Sequence, residues 1–243
     1  MSVTIRSGSK FLFVAVSLLF HFCWLMVCIF ILGKNEKRGF RIRKSFCRSA
    51  MRILGIQVSF HSAPQPLVCL FISNHRSLLD PLIELGYIDT HILSKADVEK
   101  YPLMGPGSRA TGVIFVERTD PDSRRAALNK IEKTLLNGAS VLIYPEGTTH
   151  REKLTSEFKR GTFDVAFHKQ IPVVPVMIEY PDSGYYWTDG SLLDYFNTIF
   201  SRPGKHQVIL QIGPPIFAQS AEELLKSTQS TINSMIASTK VDH

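Results

Sequence analysis

Residues 67–80 read LVCLFISNHRSLLD, and the fold turns on this stretch. Leu67 to Ser73 is a short apolar run of the kind that forms a strand buried on both faces. Asn74, His75 and Arg76 interrupt it, and Ser77 to Leu85 then has the composition of a helix. A buried strand that passes through a polar turn into a helix is the building unit of layered α/β domains, which carry their sites at such strand ends.

The same alternation continues downstream. Strands are predicted at Ile92 to Ser94, Val113 to Val116, Ser140 to Tyr144, Ile171 to Glu179 and Val208 to Ile212, each short, rich in Val, Ile and Leu, and bounded by turn residues. Helices are predicted at Ser123 to Asn137, Gly161 to His168 and Ala221 to Ser238; in the first, Ala127, Leu128, Ile131 and Leu135 keep helical spacing and Asn137-Gly138 supplies a stop. The expectation is an α/β domain over residues 56–243, with a central mixed or mostly parallel sheet flanked by helices.

Upstream, residues 11–32 are 22 consecutive positions without formal charge, enough to cross a hydrocarbon layer of about 30 Å as a helix. Lys34-Asn35-Glu36-Lys37-Arg38 follows, where a cleaved leader would carry small residues, so the segment reads as a retained anchor. Seven basic residues within positions 34–48 (Lys34, Lys37, Arg38, Arg41, Arg43, Lys44, Arg48) face one acid, Glu36. Such a cluster is drawn to anionic lipid and, if the segment spans, places the chain after it in the cytoplasm. Residues 36–54 scatter Phe40, Ile42, Phe46, Met51, Ile53 and Leu54 among these cations; an interfacial helix and a linker helix packed on the domain both fit. The expected organisation is a membrane anchor with a basic juxtamembrane helix over 1–55, followed by the α/β domain, at the cytoplasmic face of a membrane.

Lys and Arg outnumber Asp and Glu by 28 to 21. The position of the excess beside the apolar segment points to the lipid bilayer as partner and away from nucleic acid. Cys23, Cys28, Cys47 and Cys69 form no spaced framework and read as reduced thiols. The histidines His61, His91, His150, His168, His206 and His243 show no metal-ligand spacing, so no metal is expected.

His75 and Asp80 are the residues with chemical promise. Five positions apart, they would be separated by about 140° on a regular helix and could not share a face. With His75 in the turn and Asp80 at the helix start, however, the carboxylate can reach one ring nitrogen and leave the other free, as a general base requires. A capping or core pair would look the same in sequence.

Three further segments accompany the pair: Gly112-Val113-Ile114-Phe115-Val116-Glu117-Arg118, Tyr144-Pro145-Glu146-Gly147-Thr148, and Ile171-Pro172-Val173-Val174-Pro175-Val176. With Asn74-His75 through Asp80, their order resembles the four blocks of the 1-acylglycerol-3-phosphate acyltransferase superfamily: His-x-x-x-x-Asp, Gly-x-x-Phe-x-x-Arg, a block usually written Phe-Pro-Glu-Gly-Thr, and an apolar strand holding a proline. The resemblance covers roughly residues 70–180. It implies direct transfer of a fatty acyl group from an acyl-CoA or acyl carrier protein thioester to a lyso-lipid hydroxyl, without a further cofactor. It also implies His75 as base, Asp80 as its orienter, Arg118 as a cationic contact to the acceptor's anionic group, and Glu146, Gly147 and Thr148 as further acceptor contacts. No Gly-x-Ser-x-Gly elbow is present, consistent with direct attack.

One departure bears on the acceptor. Phosphate-acceptor members commonly continue the third block with arginine, whereas this chain has Thr149, His150 and Arg151. Arg151, Lys159 or Arg160 could compensate; alternatively, the segment Phe158-Lys159-Arg160-Gly161-Thr162-Phe163 resembles that of enzymes acylating lyso-ornithine or related amino-acid lipids. Lysophosphatidic acid is favoured because Arg118 is kept. A thioesterase, a phospholipid-remodelling transacylase and a non-enzymatic lipid-binding module are the remaining readings. The aromatic segment Tyr180 to Phe200, with Pro181, Gly184 and Gly190, reads as a loop, folded over the core or docking at the membrane.

Overall fold

The computed structural model describes residues 2–187 and 191–239; Gly190 and His243 lie outside them. Seven strands form one sheet: β1 (Ile56–Ser62), β2 (Leu70–Ser73), β3 (His91–Lys95), β4 (Val113–Val116), β5 (Val141–Ile143), β6 (Val173–Glu179) and β7 (His206–Ile212). Their order is β1-β7-β6-β2-β5-β3-β4, all pairs being parallel except β6 with β7. The helices are α1 (Ser2–Leu32), α2 (Glu36–Leu54), α3 (Asp80–Glu84), α4 (Met104–Ala110), α5 (Pro121–Leu136), α6 (Gly161–His168), α7 (Leu192–Ser201) and α8 (Ala221–Ser238).

Side-chain alternation along the central strands creates the layers. Leu70 and Ile72 of β2, with Val141 and Ile143 of β5, face Ile131 and Leu135 of α5, Phe163 of α6 and Ile232 of α8. Phe71, Leu142, Val174 and Val176 face the other way, onto Cys47 and Met51 of α2, Ile83 of α3 and Ile199 of α7. Each fully buried aliphatic side chain contributes about 1.5–3 kcal/mol through area removed from water. Pro175 sits in a fully buried strand without an N–H to give. The ladder to β7 is interrupted there, between the Val176–Ile212 pair and an isolated Val173–Ile216 bridge.

Several elements depart from the sequence expectation. The strand expected from Leu67 begins only at Leu70, whose N–H bonds the Pro172 carbonyl, and Leu67 is 95% exposed. The helix expected over Ser77–Leu85 shrinks to α3, because the Asp80 side chain is consumed by the turn before it and Pro81 sits in the first helical turn. β1 went unread although Ile56, Val58 and Phe60 alternate with Gln57, Ser59 and His61; it is an edge strand, mostly exposed. α4, sequence MGPGSRA, has a loop's composition and forms between β3 and β4. Within the segment read as an aromatic loop, α7 starts at the cap Ser191 and buries Tyr195, Ile199 and Phe200.

α2 is a regular helix, capped by the Asn35 side chain on the Arg38 N–H and ended by Gly55 at φ 78°. Its apolar residues Phe40, Cys47, Met51 and Leu54 are buried against the domain. α1 contains the one helical stretch among the described residues long and apolar enough to cross a membrane, Gly8–Leu32, a candidate membrane anchor. It packs on the rest of the chain along much of its length: Lys10 Nζ donates to the Arg202 carbonyl (2.6 Å), the Phe11 ring meets Phe200, His21 Nε2 bonds Ser45 Oγ (3.1 Å), and Leu25 and Cys28 pack on Ile42. Phe13, Val16, Phe20, Trp24, Val27 and Ile31 form an outward apolar stripe on its other side.

Candidate active site

The end of β2 is fixed by side chains acting on backbone. Asn74 occupies the place of a further strand partner: its amide donates to the Ile178 carbonyl (2.8 Å) and accepts the Ile178 N–H (2.9 Å). The His75 N–H goes to Glu146 Oε1 (2.8 Å). Arg76 N–H and Ser77 N–H both go to Asp80 Oδ2, at 2.7 and 2.8 Å. A five-residue turn is thereby closed on one carboxylate, which is how residues that could not share a helical face come together.

His75 Nδ1 and Asp80 Oδ2 are 2.8 Å apart, so the ring N–H donates to the carboxylate. Asp80 is fully buried, and Tyr180 Oη donates to its other oxygen at 2.6 Å. Four donors therefore hold one carboxylate, and its charge faces the imidazole from behind. His75 Nε2 has no hydrogen-bond partner among the described residues, while the side chain lines a cavity of about 620 Å³.

Beneath the imidazole lies the Tyr144 ring, stacked at 4.0 Å between centroids and 11° between planes. The Tyr144 hydroxyl donates to Glu84 Oε2, and Ser73 Oγ donates to Glu84 Oε1 at 2.5 Å. Burial, reinforced by the Asp80 carboxylate, pushes the Glu84 carboxyl up to about 8. Burial and the same two carboxylates, Glu84 first, hold the Tyr144 hydroxyl well above its ordinary value, so it stays protonated.

Within the third block, Glu146 and Gly147 are engaged inside the chain. Glu146 is buried and its carboxylate is spent inside the chain, on the His75 N–H, on the Ser156 N–H (2.6 Å) and hydroxyl (3.0 Å), and on His150 Nε2. Gly147 adopts φ 75°, a conformation that favours glycine, and its carbonyl accepts from Arg118 Nη1. A Cβ there would lie 2.5 Å from Lys159 Nζ, so the Lys159 ammonium sits against this turn too. Arg160 pairs instead with Asp164 (2.9 Å) and Arg151 is exposed. Arg76, wholly buried, ties the following loop down through the Glu152 and Lys153 carbonyls, at 2.5 and 2.8 Å.

The cavity runs from the C-terminal edge of the sheet, where His75, Arg118, Tyr144, Thr148 and Thr149 contribute, along β3 from Lys95 to Ile92. Most of the remaining wall is apolar, with Leu18, Phe22 and Leu25 of α1, Ile42 and Phe46 of α2, Leu78 and Leu82 around α3, Met104 of α4 and Val113 of β4, although Arg43, Asp97 and Thr111 also reach it. A volume of this size, mostly apolar with a few polar groups, is typical of small-molecule sites of about 300–1,000 Å³. Thr149 Oγ1 is buried in the wall with no hydrogen-bond partner among the described residues.

Of the residues singled out in sequence, His75, Arg118 and Thr148 line this cavity, Asp80 stands behind His75, and Glu146 and Gly147 lie outside the lining. Tyr144, Tyr180 and Glu84 were not assigned roles from sequence. Glu84 carried a signal, a carboxylate four residues after Asp80 in the apolar segment LLDPLIEL. Tyr180, a hundred residues from Asp80, carried none. Among the described residues, no group of His, Cys, Asp and Glu could hold a metal ion.

The family model described as Acyltransferase matches residues 55–179. The chain is 34% identical over 112 residues to the chloroplastic 1-acyl-sn-glycerol-3-phosphate acyltransferase BAT2 of Brassica napus, covering 45% of this chain and 32% of that protein. It is 28% identical over 190 residues to the lysophospholipid acyltransferase LPCAT4 of Mus musculus, covering 70% of this chain and 35% of that one. The chain thus matches about a third of the length of these two relatives. The lyso-ornithine lipid O-acyltransferase of Rhodobacter capsulatus is 25% identical over 228 residues, covering 88% and 81%. The crystal structure of the 1-acyl-sn-glycerophosphate (LPA) acyltransferase PlsC of Thermotoga maritima superposes with a TM-score of 0.78 over 96% of this chain and 94% of that one, at 20% identity, and shares the fold.

Proposed function

This chain belongs to the acyltransferase family, and on that premise we propose that it moves a fatty acyl group from an acyl-CoA or acyl carrier protein thioester to the free hydroxyl of a lyso-lipid. The observation carrying this reading is the apolar cavity with His75 at its polar end, Nε2 free and Nδ1 held by Asp80. In the proposed step the acceptor hydroxyl loses its proton to His75 Nε2 as its oxygen attacks the thioester carbonyl. The C–O bond forms, the C–S bond breaks, and the proton passes from the imidazolium to the departing thiolate, leaving a thiol and the acylated lipid. The Asp80 carboxylate favours the imidazolium that carries the proton between these events. The acyl chain occupies the apolar length of the cavity.

Lysophosphatidic acid is the acceptor supported by Arg118 and Lys159, two cations that meet at Gly147. Thr149, where phosphate-acceptor relatives commonly hold arginine, and the nearly full-length match to the Rhodobacter enzyme support lyso-ornithine lipid as the second reading. Purified protein in lipid vesicles, given one long-chain thioester and either acceptor, separates them. The expected result is phosphatidic acid, with Arg118→Gln raising KM for lysophosphatidic acid by about 10- to 100-fold, the worth of one charge-assisted bond. Transfer to lyso-ornithine lipid alone would transfer the assignment to the second reading, and thiol release without any acceptor would point to hydrolysis.

We also propose that the chain resides on the cytoplasmic leaflet, which suits its free cysteines, with α1 lying along the surface of the bilayer. Its packed stretch from Lys10 to Cys28 extends about 27 Å at 1.5 Å per residue, nearly the full hydrocarbon thickness. A perpendicular span would carry α2, α7 and the cavity into the lipid with it. Lying flat, α1 presents its outward stripe of Phe13, Phe20 and Trp24 to lipid, and the basic residues of α2 meet anionic head groups. In a Cys23→Ser background, Gly8→Cys and Lys34→Cys are expected to react alike with an impermeant thiol reagent applied from the cytoplasmic side. Labelling of only one end from that side would restore the spanning arrangement.

A further inference from the structure

We propose that Glu84 and Tyr144 form a buried positioning pair that adds negative charge behind the His75 imidazolium, so that the rate of acyl transfer rises with ionisation of Glu84. The inference rests on His75 being the base. Its geometry is continuous: Ser73 Oγ to Glu84 Oε1 at 2.5 Å, Glu84 Oε2 to the Tyr144 hydroxyl, and the Tyr144 ring stacked on the His75 imidazole at 4.0 Å. Neither Glu84 nor Asp80 is exposed at all, so their charges act in a medium of low polarity.

The groups facing this carboxyl are few. Asp80 lies one turn before it on α3, Tyr144 and Ser73 donate to it from the ends of β5 and β2, and Tyr180 lies near Tyr144 from the end of β6. Arg48 of α2, the cation above this part of α3, is engaged with the Gly86 carbonyl (2.8 Å) and the Tyr87 ring. Among the described residues no cation neutralises Glu84, and burial together with Asp80 pushes its carboxyl up to about 8. Below that pH it is neutral. Above it, the carboxylate draws on the Tyr144 hydroxyl, makes the ring face under His75 more negative, and favours the imidazolium of the transition state through the stack. The role is one of support, since Glu84 lies outside the cavity lining and touches no reacting atom.

The test is the pH dependence of kcat for the full-length protein in vesicles, measured with a long-chain acyl thioester and lysophosphatidic acid. Wild-type kcat is expected to show a step of about three- to tenfold upward centred near pH 8, an effect of about one unit of proton affinity or less on the base. Glu84→Gln removes the step and holds the rate at the low-pH level. Tyr144→Phe keeps the stacked ring but deletes one donor to Glu84, so the step shrinks and moves to higher pH. A merely structural pair would scale the whole profile without changing its shape; that outcome, or a wild type with no step, overturns the proposal. Should Glu84→Gln fail to fold, the Tyr144→Phe profile decides alone. If His75→Ala retains wild-type transfer, the base assignment itself has failed, a result separate from an active, His75-dependent enzyme with an unchanged profile.

Discussion

Replacing His75 by alanine is expected to lower kcat for acyl transfer by about 10³- to 10⁴-fold, the range seen when a general base is removed from a site whose other parts remain. The fold should survive this change. Asp80 keeps its three remaining donors, Arg76 N–H, Ser77 N–H and the Tyr180 hydroxyl, so no buried acceptor is abandoned. The His75 N–H stays on Glu146, because that bond belongs to the backbone. Deleting the ring extends the cavity toward the Tyr144 face, a loss of stacking worth about 1 kcal/mol and a small drop in Tm. Thiol release and lipid product, followed with unchanged circular dichroism, check both halves of the expectation. Product formation at the wild-type rate in a folded His75→Ala protein would refute the base assignment.

How far such a site could be read from sequence depended on the range of its interactions. β2, β4 and α6 were legible because burial on both faces or one gives a local pattern of apolar residues. The His75 and Asp80 contact was legible as a possibility, since a turn followed by a helix start is a local event. The parts supplied at long range were not. Tyr180 reaches Asp80 across a hundred residues, and Asn74 pairs with Ile178 across the same gap, both because β6 lies beside β2 in a sheet whose order no local signal encodes. Glu146 lies in a block recognisable from sequence, but the partners of its carboxylate, the His75 backbone N–H and the 150–156 loop, were not legible there. The Pro-Glu-Gly turn thus positions the chain that carries His75, and Arg118 and Thr148 are what it leaves facing the cavity.

Asp80 separates orientation from scaffold, and two substitutions at it are expected to differ sharply. Asparagine can turn its carbonyl oxygen to the Arg76 and Ser77 N–H groups and to His75 Nδ1–H, keeping the turn closed. Its amide nitrogen then faces the Tyr180 hydroxyl, which must rotate to accept instead of donate. The charge behind the imidazole is gone, so the imidazolium loses its stabilising partner, and kcat should fall by about 10²- to 10⁴-fold with Tm close to wild type. Asp80 is also the second cause of the raised Glu84 carboxyl; its neutralisation brings the ionisation of Glu84 to lower pH, and any residual activity should show its alkaline step displaced in that direction. Alanine removes the acceptor altogether. Two backbone N–H groups, one hydroxyl and the His75 Nδ1–H would lose their acceptor in a buried site, at about 1–3 kcal/mol each, a sum comparable with the whole stability of an ordinary domain. Asp80→Ala is therefore expected to unfold or aggregate where Asp80→Asn is folded and slow. Equal urea midpoints for the two variants would contradict the scaffold role, and an Asn variant with wild-type kcat would contradict the electrostatic one, so the pair of measurements assigns each function of this carboxylate separately.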